Sequence, residues 1–83
     1  MIKDLIILGS TGSIGKSTIK VLKNNKKKFK IILLSTNTNI NTIYKQAVEF
    51  KVKHVLINNV NKYQRFKKKF KKKKIDVHFN IDD

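Results

Sequence analysis

The chain has 83 residues, 40% of them hydrophobic, with 20 basic against 5 acidic side chains and a formal net charge of +15. That length holds one small domain with a barely adequate core, so a complete enzyme with its own catalytic apparatus is not expected in it. Cysteine is absent, which excludes disulfides and thiolate metal sites, and no apolar run is long enough to cross a bilayer as a helix.

The basicity invites a nucleic-acid reading. Lysine supplies 19 of the 20 basic side chains and Arg65 is the only arginine, whereas surfaces that read bases or clamp phosphates favour arginine. Lys, Ile and Asn together make 40 of the 83 residues, all from A/T-rich codons, so gene composition accounts for the charge at least as well as a polyanionic partner does. No specific nucleic-acid partner and no membrane partner are expected. The first strand pattern starts almost at Met1 with no basic-then-apolar leader, and the expected location is the cytoplasm.

In chain order, residues 4–9 read as a strand, apolar on both faces as a central parallel strand should be. Gly9-Ser10-Thr11-Gly12-Ser13-Ile14-Gly15 follows, with glycines three apart at a strand-to-helix turn. This is a variant of the dinucleotide-binding turn. Gly9 permits a sharp exit from the strand, Gly12 leaves room for a pyrophosphate, and Gly15 lets the helix pack closely. The amides of Gly12, Ser13 and Ile14 are expected to be unpaired donors at a helix N-terminus, where the macrodipole also favours an anion. The hydroxyls of Ser10, Thr11 and Ser13 are expected to add donors.

The spacing predicts a first helix over 14–24, with Ile14, Thr18, Val21 and Leu22 inward and Lys16, Lys20 and Lys23 facing water. A second buried strand spans 29–35, completing a β-α-β unit. The polar loop after it, Ser35-Thr36-Asn37-Thr38-Asn39, lacks the acidic residue that bonds a ribose 2′-hydroxyl in NAD-binding versions, and no carboxylate stands between Asp4 and Glu49. A 2′-phosphate is then not repelled, so NADP is favoured over NAD, with Ser35, Thr36 and Asn39 as donors. The competing role for Asn39 is to cap the next helix. That helix is predicted over 40–51 with Ile40, Ile43, Tyr44, Ala47 and Val48 on one face.

A third strand is predicted over 54–58 and a third helix over 60–72, with Val60, Tyr63 and Phe66 or Phe70 turned inward as core rather than as base-stacking platforms. Lys67 to Lys69 and Lys71 to Lys74 form a like-charged helix end that should fray and bind polyanions nonspecifically. Residues 75–79 alternate as an edge strand. The sequence spacing gives neither histidine a metal-compatible partner. The five carboxylates assemble no catalytic pair or triad, so neither catalytic residues nor metal ligands are assigned.

Two other functions compete for the same residues. Gly15-Lys16-Ser17-Thr18 matches the end of a P-loop, but Gly9 stands one residue too early, and no strand ends in an Asp to hold magnesium. A basic nucleic-acid-binding module would instead use the C-terminal lysines.

The run from Gly9 to Gly15 with Ser17-Thr18, continued by Asn25, Phe29, the second strand, Asn39 and Glu49-Phe50, resembles the opening of the 1-deoxy-D-xylulose 5-phosphate reductoisomerase family over residues 2–59. The resemblance implies an α/β fold: a three-layer Rossmann-like parallel sheet in β-α-β-α-β-α-β order, truncated. Residues 1–83 would be part of an NADP-binding domain, with the catalytic and C-terminal domains absent. It further implies NADPH as cofactor, contacted by Thr11, Gly12, Ser13, Ile14 and Asn39. The complete enzyme would isomerise and reduce 1-deoxy-D-xylulose 5-phosphate to 2-C-methyl-D-erythritol 4-phosphate, in non-mevalonate isoprenoid synthesis. It would be a homodimer using magnesium or manganese, whose ligands are not in this chain, and the isolated chain would be inactive. Where the family commonly has Gly then Lys before the loop Asn, this chain has Asn37 and Thr38. Asn37 is expected to keep the turn through a left-handed backbone, whereas Thr38 cannot replace a cation over the 2′-phosphate.

Overall fold

The computed structural model describes residues 2–79. Strands and helices alternate: β1 (Lys3–Ile7), α1 (Ser13–Lys23), β2 (Phe29–Thr36), α2 (Ile40–Glu49), β3 (His54–Ile57), α3 (Val60–Lys71) and β4 (Asp76–His78). The short apolar runs become strands because a parallel strand buries its side chains without needing local turns. The intervening segments repeat apolar residues at helical spacing and become the crossovers that parallel neighbours require.

All pairings are parallel, and the four strands lie side by side in chain order, β1-β2-β3-β4. Right-handed crossovers between successive neighbours place all three helices over one face. Ile19 and Leu22 of α1, Ile40, Ile43 and Ala47 of α2 and Phe70 of α3 therefore form one core cluster with Ile7, Ile31, Leu34, Val55 and Ile57 of the strands. Phe70 is fully buried and meets Tyr44 edge-on with ring centroids 5.1 Å apart, so the aromatics of α3 serve the core as expected. Between the pairs Leu5–Ile31 and Ile6–Leu33 the register slips by one residue, which turns both Ile31 and Leu34 toward the helices. The opposite face carries Ile6, Leu33, His54, Leu56 and His78, all exposed or half-buried. The Rossmann-like α/β order is thus as expected, and of the three layers the described residues supply the sheet and one helical layer.

Three local expectations need correction. Among the described residues β1 pairs only with β2 and so lies at an edge, with Ile6 58% and Leu8 70% exposed, rather than in the middle of the sheet. The inward face of α1 is Gly15, Ile19 and Leu22, while Ile14, Thr18 and Val21 are exposed. The phase of α1 follows from a steric contact: a Cβ at Gly15 would collide with the Gly9 carbonyl oxygen and lie 2.6 Å from Ser10 Cα. The helix rotates to seat its bare position on the loop, and two apolar residues are left outside. In α3, Val60 is exposed rather than inward.

Candidate functional site

In a parallel sheet the loops that follow the strands gather at one end, the usual place for a ligand in this fold class. Here the turn after β1, the loop after β2 and Asn58 after β3 line one cleft of about 550 Å³. Thr11, Gly12 and Asn39 share it, so residues 27 or more positions apart in the chain are brought together.

The turn after β1 is held from behind. Gly9 takes φ +65°, the left-handed region that a side chain would strain, and its amide donates to Ser35 Oγ at 2.8 Å. The Ser10 amide donates to the Ser35 carbonyl at 3.0 Å. Ser10 itself is fully buried: its hydroxyl donates to Gln46 Oε1 at 2.7 Å, and Gln46 Nε2 returns a bond to the Ser10 carbonyl at 2.9 Å. Ser10 is therefore a brace and not a donor to a ligand, contrary to the expectation from sequence. Gln46 was missed altogether, though its position three residues after Ile43 on the buried face of α2 is the available signal.

Thr11 and Thr36 join the two loops through their hydroxyls at 2.8 Å, and Thr36 Oγ1 also accepts the Asn39 amide at 3.3 Å. Asn39 is the N-terminal cap residue of α2 by position, but its side chain makes no capping bond and is exposed. Its amide group is thus left for a ligand, and the capping alternative is not realised. Asn37 does not use a left-handed backbone: among the described residues positive φ occurs only at Gly9, Lys51 and Lys74. The loop keeps its shape through Thr36 and through an Ile40 amide bond to the Thr38 carbonyl at 2.9 Å instead.

At the start of α1 the amide of Gly12 is already used, donating to the Gly9 carbonyl at 3.1 Å within the turn. This corrects the expectation of three free amides. Those of Ser13 and Ile14 have no backbone acceptor among the described residues, the cap position Gly12 has no side chain to offer, and no acidic residue stands in the first turn. The positive end of the helix macrodipole is bare. Gly12 is also instructive in what it does not need. Its φ of −79° suits any residue, and an added Cβ would meet only the Gly9 oxygen, at an ordinary 3.5 Å. Among the described residues nothing demands glycine there, and the space in front of it is open.

Ser13 and Ile14 do not line the cleft shared by Thr11, Gly12 and Asn39. They border a shallower depression on the exposed side of α1 with Ser17, Thr18 and Val21, and Ile14 is 85% exposed. Lys16 points elsewhere again, into a groove of about 620 Å³ between α1 and α2 that also carries Lys20, Lys23 and Lys45. That groove is larger than the cleft and is lined by lysines from both helices together with Thr42, Gln46 and Glu49. A P-loop lysine would have to reach the phosphates at the turn, and Lys16 lies on the wrong side of the helix for that.

These features put a bare helix N-terminus, its turn braced from behind, beside a polar, carboxylate-free loop at the carboxyl end of a parallel sheet. The family model of 1-deoxy-D-xylulose 5-phosphate reductoisomerase matches residues 5–83. The enzyme of that name from Pelagibacter ubique (strain HTCC1062) is 41% identical over 80 residues, which is 96% of this chain and 21% of the relative. Two solved structures share the fold: the Zymomonas mobilis enzyme in complex with NADPH, at a TM-score of 0.89 and 24% identity, and a DOX-P reductoisomerase in complex with NADPH, fosmidomycin and magnesium, at 0.88 and 22%. This chain covers 96% of itself in both and 21% and 20% of those chains, so it spans about a fifth of the length of the proteins it matches. With the glycine turn, the strand order and the family match in agreement over nearly all of its length, the chain belongs to the 1-deoxy-D-xylulose 5-phosphate reductoisomerase family.

Proposed function

We propose that this chain is the NADPH-binding part of a 1-deoxy-D-xylulose 5-phosphate reductoisomerase, with Thr11, Gly12, Ser13, Ile14 and Asn39 as its cofactor contacts. The observation that carries the reading is that Gly12, the open cap position of the bare N-terminus of α1, shares one cleft with Asn39. The free amides of Ser13 and Ile14 would receive the pyrophosphate, where the helix dipole adds to their hydrogen bonds. Asn39, with Thr36 fixing its backbone, would donate to the 2′-phosphate. The described loop holds no carboxylate to repel that group, which favours NADPH over NADH. Exposed Ile14 gives the apolar side of the bound cofactor a surface to rest on.

NADPH supplies the reducing equivalent when bound. The residues here bind and orient it and take no part in bond making. In the whole enzyme the substrate would be 1-deoxy-D-xylulose 5-phosphate and the product 2-C-methyl-D-erythritol 4-phosphate, with a magnesium or manganese ion held by residues outside this chain. A homodimer in the cytoplasm, with catalytic and C-terminal domains following residues 1–83, completes the reading.

The test is a fluorescence titration of NADPH and of NADH against the full chain and its Gly12→Asp variant. Tighter binding of NADPH, lost on substitution, is expected. Equal affinity for both nucleotides, unchanged in the variant, would remove the turn from the site.

A further inference from the structure

We propose that His54 and His78 form a two-imidazole site for a divalent transition-metal ion on the face of the sheet opposite the three described helices. These are the only two histidines of the chain, 24 residues apart in sequence, and the pairing of β3 with β4 brings them together. His54 Nδ1 and His78 Nε2 stand 3.1 Å apart, with ring centroids 5.3 Å apart and planes inclined by 37°. Two imidazole nitrogens bound to one tetrahedral zinc ion at about 2.0–2.1 Å are separated by about 3.3–3.4 Å. The rings need to open by only a few tenths of an ångström and turn so that both lone pairs meet at the ion. That turn uses the soft χ2 torsion of histidine.

Without a metal the two nitrogens share one hydrogen bond, for which one ring must be the donor. Both side chains are solvent-accessible, and a bond that water can replace holds the pair weakly. A metal ion uses the lone pair of both rings at once, each ring keeping its proton on the other nitrogen. The strands supply the preorganisation: Leu56 pairs with His78 and His54 with Asp76, so both histidines project from adjacent strands on the same face. Among the described residues no group of three His, Cys, Asp or Glu side chains gathers, so the two imidazoles are the ligands on which the site rests. Imidazole pairs select zinc, nickel or copper over the hard, oxygen-seeking magnesium ion. This site is therefore distinct in chemistry from any magnesium centre.

The test is a titration of the full chain with Zn²⁺ and, separately, Mg²⁺, followed by proton NMR of the imidazole C–H signals, which only these two residues supply. Both rings should shift on one shared curve that saturates at one Zn²⁺ per chain, with no response to Mg²⁺. His54→Ala and His78→Ala should each weaken zinc binding by about tenfold or more, because the second ligand then no longer acts intramolecularly. Separate curves for the two rings, a smaller loss in either variant, or an equal response to Mg²⁺ would overturn the proposal.

Discussion

Ser10 and Gln46, 36 positions apart, close a ring of two hydrogen bonds in which each side chain or carbonyl both needs and satisfies the other. The glycine turn after β1 is thereby tied to the middle of α2. Replacing Gln46 with Leu leaves the buried Ser10 hydroxyl and carbonyl short of partners, a loss of about 1–3 kcal/mol. Urea unfolding of the variant should show a lower midpoint with an unchanged slope, and an unchanged midpoint would mean that the turn stands without this brace.

Gly12 and Gly15 should respond in opposite ways to alanine. Gly15→Ala places its Cβ against the backbone of Gly9 and Ser10, neither of which can yield without moving the turn, so it should destabilise by about 1–3 kcal/mol. Gly12→Ala meets no tight contact and should leave stability within about 0.5 kcal/mol while weakening NADPH. Thermal melts and nucleotide titrations of the two variants side by side decide the matter. Loss of stability at Gly12 would show that its missing side chain serves the fold and not a ligand.

Thr38 lines the cleft beside Asn39, and on the proposed reading it stands where a cation would face a 2′-phosphate. Thr38→Lys should strengthen NADPH binding by about 1–2 kcal/mol, the scale of a charge-assisted bond at a half-exposed site, and leave NADH almost unchanged. A competition titration reads the ratio directly. Equal gains for both nucleotides would indicate general attraction by added charge.

Lys67 to Lys69 and Lys71 to Lys74 crowd the end of α3 and the turn beyond it with like charge. Glu49 is instead paired with Lys23 at 3.6 Å and Lys26 at 3.5 Å. Salt screens such repulsion within about 10 Å at 0.1 M. The thermal midpoint should therefore rise between low and physiological salt. A flat or falling midpoint would show that the lysines are spaced well enough to be harmless.

Much of the architecture is legible from local pattern. The runs around Ile7, Ile31 to Leu34 and Val55 to Ile57 become strands, the helices start within a residue of their expected positions, and the glycine turn lies where its spacing puts it. The loop after β2 is likewise polar, carboxylate-free and beside the turn. What sequence conceals is long-range. Ser10 looks like a donor to a ligand until Gln46 claims it, and Gly12 looks unpaired until the turn folds back on Gly9. The phase of α1 follows the Gly15 contact instead of the apolar count, so Ile14 and Val21 end outside. His54 and His78 acquire each other only when β4 docks on β3.

Among the described residues the outer flank of β1 pairs with no strand, and this sets two demands on ionic strength against each other. Its unsatisfied peptide groups and the protruding Ile6 and Leu8 offer a template on which a second molecule can zip. Mutual repulsion at +15 holds copies apart in dilute buffer. Added electrolyte steadies each molecule and, by the same shielding, lets neighbours meet edge to edge. Preparations should accordingly be monodisperse only below a salt ceiling that falls as protein concentration rises.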